Sequence, residues 1–356
     1  MMHPTARIAF YTPTKGLDGS ARSGERRIVE TTLELLGKAG FDVQIPSRLV
    51  TLDRDGDAER QHALMEEAET EAARVAQDLR AEPPALWWSY HSYYKCPDLL
   101  GPVVSRALEI PYVLQQPTLN PKHLQGPWAG FAEASLDAHE HATRLMWTTR
   151  RDVPALDAAG HSEKLFHLPA VIDPGPMPAL HAAHSPLRLL TVAMMPEGPK
   201  LESYRRLAAA LSHLRLDWHL RIAGDGPARP RVEALFTELN ERVTFLGQRA
   251  PVEVAEDYSQ ADLLVWPGVG EGVGMVYLEA QAAGVPVIAE GHPAQRDVVE
   301  GSLAPPDDPA AFAGLIEDAA YDRVKRARAA RLKIEQQHSP DVVAPILRDT
   351  LLGLIA

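Results

Sequence analysis

Apolar and polar positions along the chain follow the pattern of two successive α/β halves. The first segment, RIAFYT (7–12), is short, apolar and β-prone, and a turn-rich stretch leads from it into a helical repeat from about Gly24 to Lys38. A second strand candidate, FDVQIPS, follows at 41–47. This β-loop-α-β opening is typical of a parallel sheet with helical crossovers.

The alternation continues through the rest of the first half. The pattern predicts helices over 58–79 and 99–108 and strands at ALWWSYH (85–91), PYVLQQ (111–116), RLMWTT (144–149) and KLFHLPA (164–170). The Pro-rich stretch over 169–186 lacks periodicity, and we interpret it as an interdomain linker.

After the linker the alternation restarts. Strands are predicted at RLLTVA (188–193), WHLRIAG (218–224), RVTFLG (242–247), ADLLVWP (261–267) and VPVIAE (285–290), with helices over 204–214, 229–239, 252–260 and 275–283. The stretch 309–356 is helical by pattern, and Pro345 is expected to kink or restart its final helix. The sequence therefore predicts an α/β protein with two successive α/β halves.

Length and composition agree with two domains and narrow the class of function. At about 150 residues per domain, 356 residues suggest two. No stretch approaches the roughly 20 apolar residues of a membrane span, and no signal peptide is seen, so we expect a cytoplasmic protein. The lone Cys96 excludes an internal disulfide and is expected to be a small buried side chain. A net charge of -12 disfavours a duplex nucleic-acid partner.

A glycine-rich loop stands out among the loops at the strand ends. Two α/β halves would place a cleft between the C-terminal edges of their sheets, where such folds bind ligands. The segment WPGVGEGVG (266–274) follows a buried strand there and opens a helix near Met275. Positive φ is allowed at its four glycines, Gly268, Gly270, Gly272 and Gly274. The loop and the helix N-terminus suit a phosphate or diphosphate, although the spacing is not that of a dinucleotide fingerprint.

Two carboxylates flank this helix start. Glu271 and Glu279 are eight residues apart, about 12 Å along a continuous helix, too far for a dyad that shares a proton. Each could instead accept hydrogen bonds from different hydroxyls of one polyhydroxylated ligand. From spacing alone the alternative is equally good: Glu279 is a solvated helix residue and Glu271 a partner of the helix dipole.

The segment from 271 to 289, EGVGMVYLEAQAAGVPVIA, closely resembles the E-x7-E signature of GT-B fold retaining glycosyltransferases of family 4 type. IAGDGP (222–227), RVTFLG, and the entry to the next strand at Tyr258, Ala261 and Asp262 resemble the same family in order and spacing, so the resemblance spans about 187–300. It implies two Rossmann-like domains that face each other across a cleft. These are an acceptor-side domain over 1–180, joined by the final helix 340–356, and a nucleotide-sugar domain over 181–339.

The resemblance also implies roles for individual residues. Glu271 would bind donor-sugar hydroxyls, Glu279 would hold the nucleotide ribose, and Lys200 would contact the diphosphate. The expected catalytic group is Glu271, His91 and Lys200, with His91 at the end of the ALWWSYH strand contacting the donor sugar or, alternatively, a satisfied core histidine. The other implied donor-binding residues are Gly24, Gly224, Leu246, Gly272, Val273, Gly274, Met275 and Val276. Transfer would retain the anomeric configuration, with the leaving diphosphate stabilised by positive charge and N–H dipoles and not by a metal.

One part of the pattern departs from the family. Members usually place an Arg before the Lys in the loop after the first strand of the second domain, but Met194, Met195 and Pro196 stand there. Arg205 or Arg206 is a substitute, unless both are solvated helix residues. The DRDGD segment (53–57) resembles a metal-binding triad but is interpreted as a polar loop.

In the first half, the run SGERR (23–27) supplies Gly24, and it lacks the Lys and Ser or Thr of a P-loop. An aromatic-rich region could stack on an acceptor, or could be strand core: Trp87, Trp88, Tyr90, Tyr93, Tyr94 and Trp128. A locally basic set could meet an anionic acceptor or a lipid headgroup, or could be solvated: Lys15, Arg22, Arg26 and Arg27.

The sequence thus predicts a glycosyltransferase that moves a hexose or N-acetylhexosamine from a UDP- or GDP-sugar to an unidentified acceptor, which could be a sugar, a glycolipid or a small molecule. It predicts no metal or other cofactor and no nucleic-acid partner, and leaves peripheral membrane contact open. The alternatives are a GT-B sugar-nucleotide epimerase or hydrolase, and a degenerate nucleotide-sugar-binding protein.

Overall fold

The computed structural model describes residues 6–14, 24–176 and 178–356. The chain divides into unit 1, Met1–Val171 with Pro340–Ala356, and unit 2, Ile172–Ser339. The division therefore lies ahead of the boundary predicted after residue 180. The cause is that the Pro-rich stretch is bonded to unit 2: the Ile172 N–H donates to the His338 carbonyl at 2.9 Å, and Arg331 donates to the Pro174 carbonyl at 2.6 Å.

Unit 1 is built on a parallel six-stranded sheet of order β2-β1-β3-β4-β5-β6. Its strands are β1 (Arg7–Tyr11), β2 (Asp42–Gln44), β3 (Leu86–Ser92), β4 (Tyr112–Pro117), β5 (Arg144–Trp147) and β6 (Leu165–His167). Its helices up to residue 158 are α1 (Gly24–Lys38), α2 (Ala58–Leu79), α3 (Gly101–Leu108), α4 (Ala129–His141) and α5 (Val153–Ala158), with 3-10 turns at Pro121–Leu124 and Ser162–Lys164. The apolar runs of β1 and β3 are buried because helices cover a parallel sheet.

Strand register brings the carboxyl ends of β3 and β4 together. Trp87 pairs with Tyr112, and the pairing continues along both strands to Ser92 and Pro117. The polar positions near these ends therefore share one edge of the unit 1 sheet, the edge at which parallel α/β sheets bind ligands.

The helix α4 is absent from the predicted elements. Its buried face consists of Phe131, Ala132, Ser135, Ala138 and His139, so small and polar residues replace the apolar stripe that marks an amphipathic helix. Its N-cap, Trp128, supplies no side-chain hydrogen bond either. Neither of the usual helix signals is present in this segment.

Unit 2 contains a parallel five-stranded sheet of order β11-β10-β7-β8-β9. Its strands are β7 (Leu187–Val192), β8 (Trp218–Ala223), β9 (Val243–Gly247), β10 (Leu263–Val265) and β11 (Val287–Ile288). Its helices are α6 (Pro199–Leu211), α7 (Arg229–Leu235), α8 (Pro251–Ser259), α9 (Met275–Ala282), α10 (Gln295–Val298), α11 (Pro309–Tyr321) and α12 (Arg323–Lys333), with a 3-10 turn at Thr237–Arg242 and a π turn at Ile334–His338. The helix predicted over 229–239 is thus shorter than expected.

The final helix, α13 (Pro340–Ile355), belongs to unit 1 and packs on α1. Lys38 Nζ lies 2.6 Å from Asp341 Oδ1, and Arg348 donates to the Ala39 carbonyl at 2.9 Å. Pro345 lies inside this helix and does not restart it; the restart falls at Pro340. Among the described helices, none is long and apolar enough to span a bilayer.

Candidate functional site

The loop between β10 and α9 can be formed only by glycine at several positions. Gly268, Gly270 and Gly274 have φ values of 79°, 71° and 72°, whereas Gly272 has no positive φ. A Cβ on Gly268 would lie 1.9 Å from the Tyr277 hydroxyl oxygen, and one on Gly274 would lie 2.5 Å from a Tyr277 ring carbon. The backbone therefore turns tightly over Tyr277 before α9 begins.

Glu271 is held in this loop by two donors from different elements. Lys200 Nζ, from the first turn of α6, lies 3.2 Å from Glu271 Oε1, and the Trp266 indole N–H donates to the same oxygen at 3.1 Å. The side chains of Glu271 and Lys200 are only 15% and 28% exposed, so the ion pair is partly shielded from water. A partly buried carboxylate beside an ammonium group can bind a hydroxyl and an anionic oxygen side by side.

The first turn of α9 presents its backbone. Gly274 is the N-cap and has no side chain with which to cap the helix, so the cap residue supplies no acceptor to the first N–H groups. The side chains of Val273 and Met275 are buried, and only their backbone atoms could face a ligand. The positive end of the helix dipole adds to this anion-binding character.

Glu279 is the fifth residue of α9 and is fixed from α8. The Tyr258 hydroxyl donates to Glu279 Oε2 at 3.2 Å and lies 3.4 Å from the Val276 carbonyl oxygen. Burial and then the Glu279 charge raise the pKa of Tyr258 well above its usual value, so the hydroxyl stays a donor. In the sequence, Tyr258 is only one of the residues that carry the family resemblance. The structure shows that its hydroxyl orients Glu279.

The loop after β8 approaches the loop after β7 at backbone distance. A Cβ on Gly224 would lie 1.8 Å from the Ala193 carbonyl oxygen, and one on Gly226 would lie 2.5 Å from the Met195 oxygen. The Met195 N–H donates to the Asp225 carbonyl at 2.9 Å, which ties the two loops together. Leu246, predicted to bind the donor, is half-buried in β9.

Met194 and Met195 occupy the position of the missing arginine, and Arg205 and Arg206 are the candidates to replace it. Met195 is buried and Met194 is 47% exposed. Arg205 pairs with Glu202, while Arg206 lies 2.8 Å from both Glu202 and the buried Glu290. Both guanidinium groups are thus neutralised by carboxylates, and neither is a free substitute for the missing arginine.

In unit 1, His91 and Gln116 share an unusual backbone geometry. Their φ values are 63° and 51°, in the left-handed region that non-glycine residues rarely adopt. His91 Nδ1 lies 3.1 Å from the Gln116 carbonyl, which can only accept, so Nδ1 carries the proton and Nε2 is left as an acceptor. Burial lowers the pKa of His91 to about 4, so the ring is neutral at pH 7. Strain of this kind concentrates at functional sites.

Gly24 and Arg26, two further described candidates of unit 1, lie in the first turn of α1. Gly24 is the exposed first residue of α1. Arg26 pairs with Glu30 at 2.8 Å, and Lys15 and Arg22 lie outside the described residues.

The aromatic region divides into a core and a partly buried cluster. Trp87, Trp88 and Tyr90 are buried, so of the two alternatives these three side chains are strand core. Tyr94 stacks on His123 with ring centroids 3.5 Å apart, and Trp128 meets both rings edge-on.

The DRDGD segment is a polar loop and Cys96 is a small buried side chain, as the sequence analysis expected. Asp53 accepts the backbone N–H groups of Asp55 and Asp57 at 3.0 Å, and Asp57 caps α2, so the DRDGD segment is a hydrogen-bonded loop. Cys96 is buried, and burial raises the pKa of its thiol to about 12.

Part of the chain is similar to known glycosyltransferases. A family model described as glycosyl transferases group 1 matches residues 186–322. In Corynebacterium glutamicum, a GDP-mannose-dependent monoacylated alpha-(1-6)-phosphatidylinositol monomannoside mannosyltransferase is 33% identical over 155 residues, which is 38% of this chain and 39% of that protein. The D-inositol 3-phosphate glycosyltransferase of Mycolicibacterium vanbaalenii is 39% identical over 97 residues, 26% of this chain and 22% of that protein. The matches thus span less than half the length of either relative.

Among solved structures, Anabaena HepE in complex with UDP matches with a TM-score of 0.70 at 16% identity, over 98% of this chain and 100% of that one. The glycosyltransferase resemblance and the two-domain α/β fold class of the GT-B type, both predicted from the sequence, are confirmed.

Proposed function

We propose, on the premise that residues 186–322 belong to the glycosyl transferase group 1 family, that the chain is a glycosyltransferase. It transfers a hexosyl or N-acetylhexosaminyl group from a UDP- or GDP-sugar to an acceptor hydroxyl, with retention of the anomeric configuration. The observation that carries the proposal is the Lys200–Glu271 pair beside the uncapped first turn of α9.

The chemistry follows from charge and hydrogen-bonding capacity. A departing nucleoside diphosphate gains negative charge as the glycosidic bond breaks, and the Lys200 ammonium group together with the α9 N–H groups can stabilise it. Glu271 accepts hydrogen bonds from sugar hydroxyls, and Glu279, oriented by Tyr258, accepts them from the ribose. Because Lys200 already pairs with Glu271, the donor has to enter between them and take over both partners.

The donor and acceptor classes rest on the relatives. One relative is described as GDP-mannose-dependent, and HepE was solved with UDP, which supports these two nucleotides. The acceptor is a sugar, a glycolipid or a small molecule, and a lipid acceptor would bring the protein to a membrane surface. We expect transfer in the presence of EDTA, because Lys200 and helix N–H groups take the part of a metal.

Calorimetry with UDP, GDP and ADP tests the proposal first, and donor turnover with a mixture of sugar acceptors tests it second. Lys200→Ala and Glu271→Ala should each lower turnover by at least about 10²-fold without loss of folding. Lys325→Ala, at an exposed lysine of the same unit, is the matched control and should keep full turnover.

Other results of these experiments would contradict the proposal or favour one of the alternative functions. Binding of none of the three nucleotides would contradict the proposal. Release of free sugar without transfer would identify a hydrolase, and epimerised donor an epimerase. Binding of nucleotide with no turnover would identify a nucleotide-sugar-binding protein, for which the missing arginine at Met194 and Met195 is the favouring observation.

A further inference from the structure

Two histidines and one carboxylate of unit 2 lie together outside the donor-binding residues. His181 and His184 are in the irregular segment that precedes β7, and Asp262 immediately precedes β10. One ligand atom of each residue lies within 4.8 Å of those of the other two. His184 Nδ1 is 2.9 Å and His181 Nδ1 is 3.7 Å from Asp262 Oδ1.

The carboxylate is fixed, whereas the imidazole rings are accessible. Asp262 is fully buried, and its Oδ2 accepts the backbone N–H groups of His184 at 3.0 Å and of Arg188 at 2.8 Å. The other oxygen, Oδ1, faces the two imidazole rings. The side chains of His181 and His184 are 35% and 34% exposed. His184 alone holds this segment to Asp262 by a hydrogen bond. His181 Nδ1 lies 2.9 Å from the Ala182 carbonyl oxygen and 3.7 Å from Asp262 Oδ1, so the second ring brings a further imidazole close to the same carboxylate.

We propose that His181, His184 and Asp262 form a binding site for a divalent transition-metal ion, with water completing the coordination. Two imidazoles and a carboxylate are a ligand set suited to zinc and its neighbours in the first transition row. With bonds of about 2.0–2.2 Å, adjacent ligand atoms stand roughly 3 to 3.5 Å apart, so His181 Nδ1 has to leave the Ala182 carbonyl oxygen, 2.9 Å away, and rotate toward Asp262 for all three ligand atoms to reach one ion. When His181 and His184 bind through Nδ1, the ring proton of each moves to Nε2.

A neighbouring charge determines which ions are expected. Arg323 Nε lies 3.5 Å from Asp262 Oδ1, and the same guanidinium group is held by the carbonyls of His181, Ala261 and Asp262. This fixed positive charge offsets that of the carboxylate, so the imidazole nitrogens must provide most of the affinity. Zn²⁺, Ni²⁺ and Cu²⁺ should therefore bind, whereas Mg²⁺ and Ca²⁺, which prefer several oxygen ligands, should not.

The bound ion would link the segment over 178–186 to the start of β10, so its effect is on the stability of unit 2. The inference uses none of the residues assigned to the donor and is independent of the proposed function. UDP titration and EDTA treatment separate the two: removal of the metal should lower the melting temperature and leave nucleotide binding unchanged.

The test is calorimetry of the chelator-treated full chain with ZnCl₂, and with MgCl₂ as the comparison ion. One Zn²⁺ per chain is expected, with a rise in melting temperature, and His181→Ala should weaken this site at least tenfold. His181→Ala keeps the His184–Asp262 hydrogen bond and should therefore fold. The chain has 14 histidines, so His213→Ala, at an exposed histidine of unit 2, controls for binding elsewhere.

Three results would overturn the site: no Zn²⁺ binding, equal binding by the His181→Ala and His213→Ala variants, or Mg²⁺ binding as tight as Zn²⁺ binding. If His181→Ala fails to fold, the same titration is made with His181→Gln, which keeps a polar side chain but offers no imidazole nitrogen. Undiminished Zn²⁺ binding by that variant would also contradict the site.

Discussion

The hydrogen bond from the buried Trp266 positions Glu271, the carboxylate that we propose binds the donor sugar. Trp266 is buried, its ring packs edge-on against Tyr204, and its N–H donates to Glu271 Oε1 at 3.1 Å. Trp266→Phe keeps most of the ring but removes the donor. A hydrogen bond to a charged group contributes about 1.5 kcal/mol or more, so we expect the donor kcat/KM to fall about tenfold.

Trp218→Phe is the matched control for this measurement. Trp218 is also buried in unit 2, and its indole nitrogen has no hydrogen-bond partner among the described residues. Both variants lose a similar amount of packing, so both should lose some thermal stability, but only Trp266→Phe should lose activity. Equal kcat/KM values in the two variants would show that the Trp266 hydrogen bond does not position Glu271.

His139 makes stability depend on pH in unit 1. The side chain is fully buried in α4, and burial lowers its pKa to about 3, from an ordinary value of 6.5. Below pH 6.5 the unfolded chain binds a proton that the folded chain does not, so stability is lost as the pH falls from 6.5 toward 3. From pH 7 to pH 5 the loss from this residue is about 2 kcal/mol.

Urea unfolding at pH 7 and pH 5 measures this loss. His139→Leu removes the titrating group and should unfold with a pH dependence weaker by that amount, while His213→Leu, at an exposed histidine, should behave like the parent. An unchanged pH dependence in His139→Leu would mean that His139 binds a proton equally well in the folded and unfolded chain.

At the scale of elements, the entry to α9 depends on one glycine. Gly274 has φ 72°, which costs an L-residue about 1–2 kcal/mol, and an added Cβ would lie 2.5 Å from the Tyr277 ring. Gly274→Ala should therefore destabilise the protein and tilt the first turn, and we expect UDP affinity by calorimetry to fall about tenfold.

Gly314→Ala is the control. Gly314 lies in the interior of α11, and a Cβ added there would have no atom within 4 Å, so this variant should be more stable by up to about 1 kcal/mol and should keep its UDP affinity. UDP binding of normal strength in Gly274→Ala would argue against α9 as the phosphate site.

Elements differ in how far the sequence predicts them. The helices α1 and α2 have the predicted bounds because their apolar stripes are regular, whereas α4 hides a face of small and polar residues. In the site, the resemblance brings Glu271 and Lys200 into one prediction, but Trp266 and Tyr258 act through contacts that no local spacing encodes. The left-handed backbone of Gln116 has no sequence signal, since glutamine does not favour it.

At the scale of the whole molecule, the predicted site residues are divided between the two units. Gly24 and His91 belong to unit 1, and the Lys200–Glu271 pair belongs to unit 2. Each unit has its own sheet and its own buried core, so a change confined to one of them can be followed separately from the other.

The helix α13 lies at the end of the chain but packs in unit 1. A substitution in α13 therefore tests whether the two units unfold separately. Leu347 is fully buried where α13 packs on α1, and Leu347→Ala should cost about 2–5 kcal/mol. Ile346, its neighbour, is 54% exposed, and Ile346→Ala should change stability by less than about 0.5 kcal/mol. By hydrogen exchange, Leu347→Ala should speed exchange in α1 and leave α9 protected, with UDP affinity unchanged below the melting transition. Equal acceleration in α1 and α9 would instead show that the two units unfold as one.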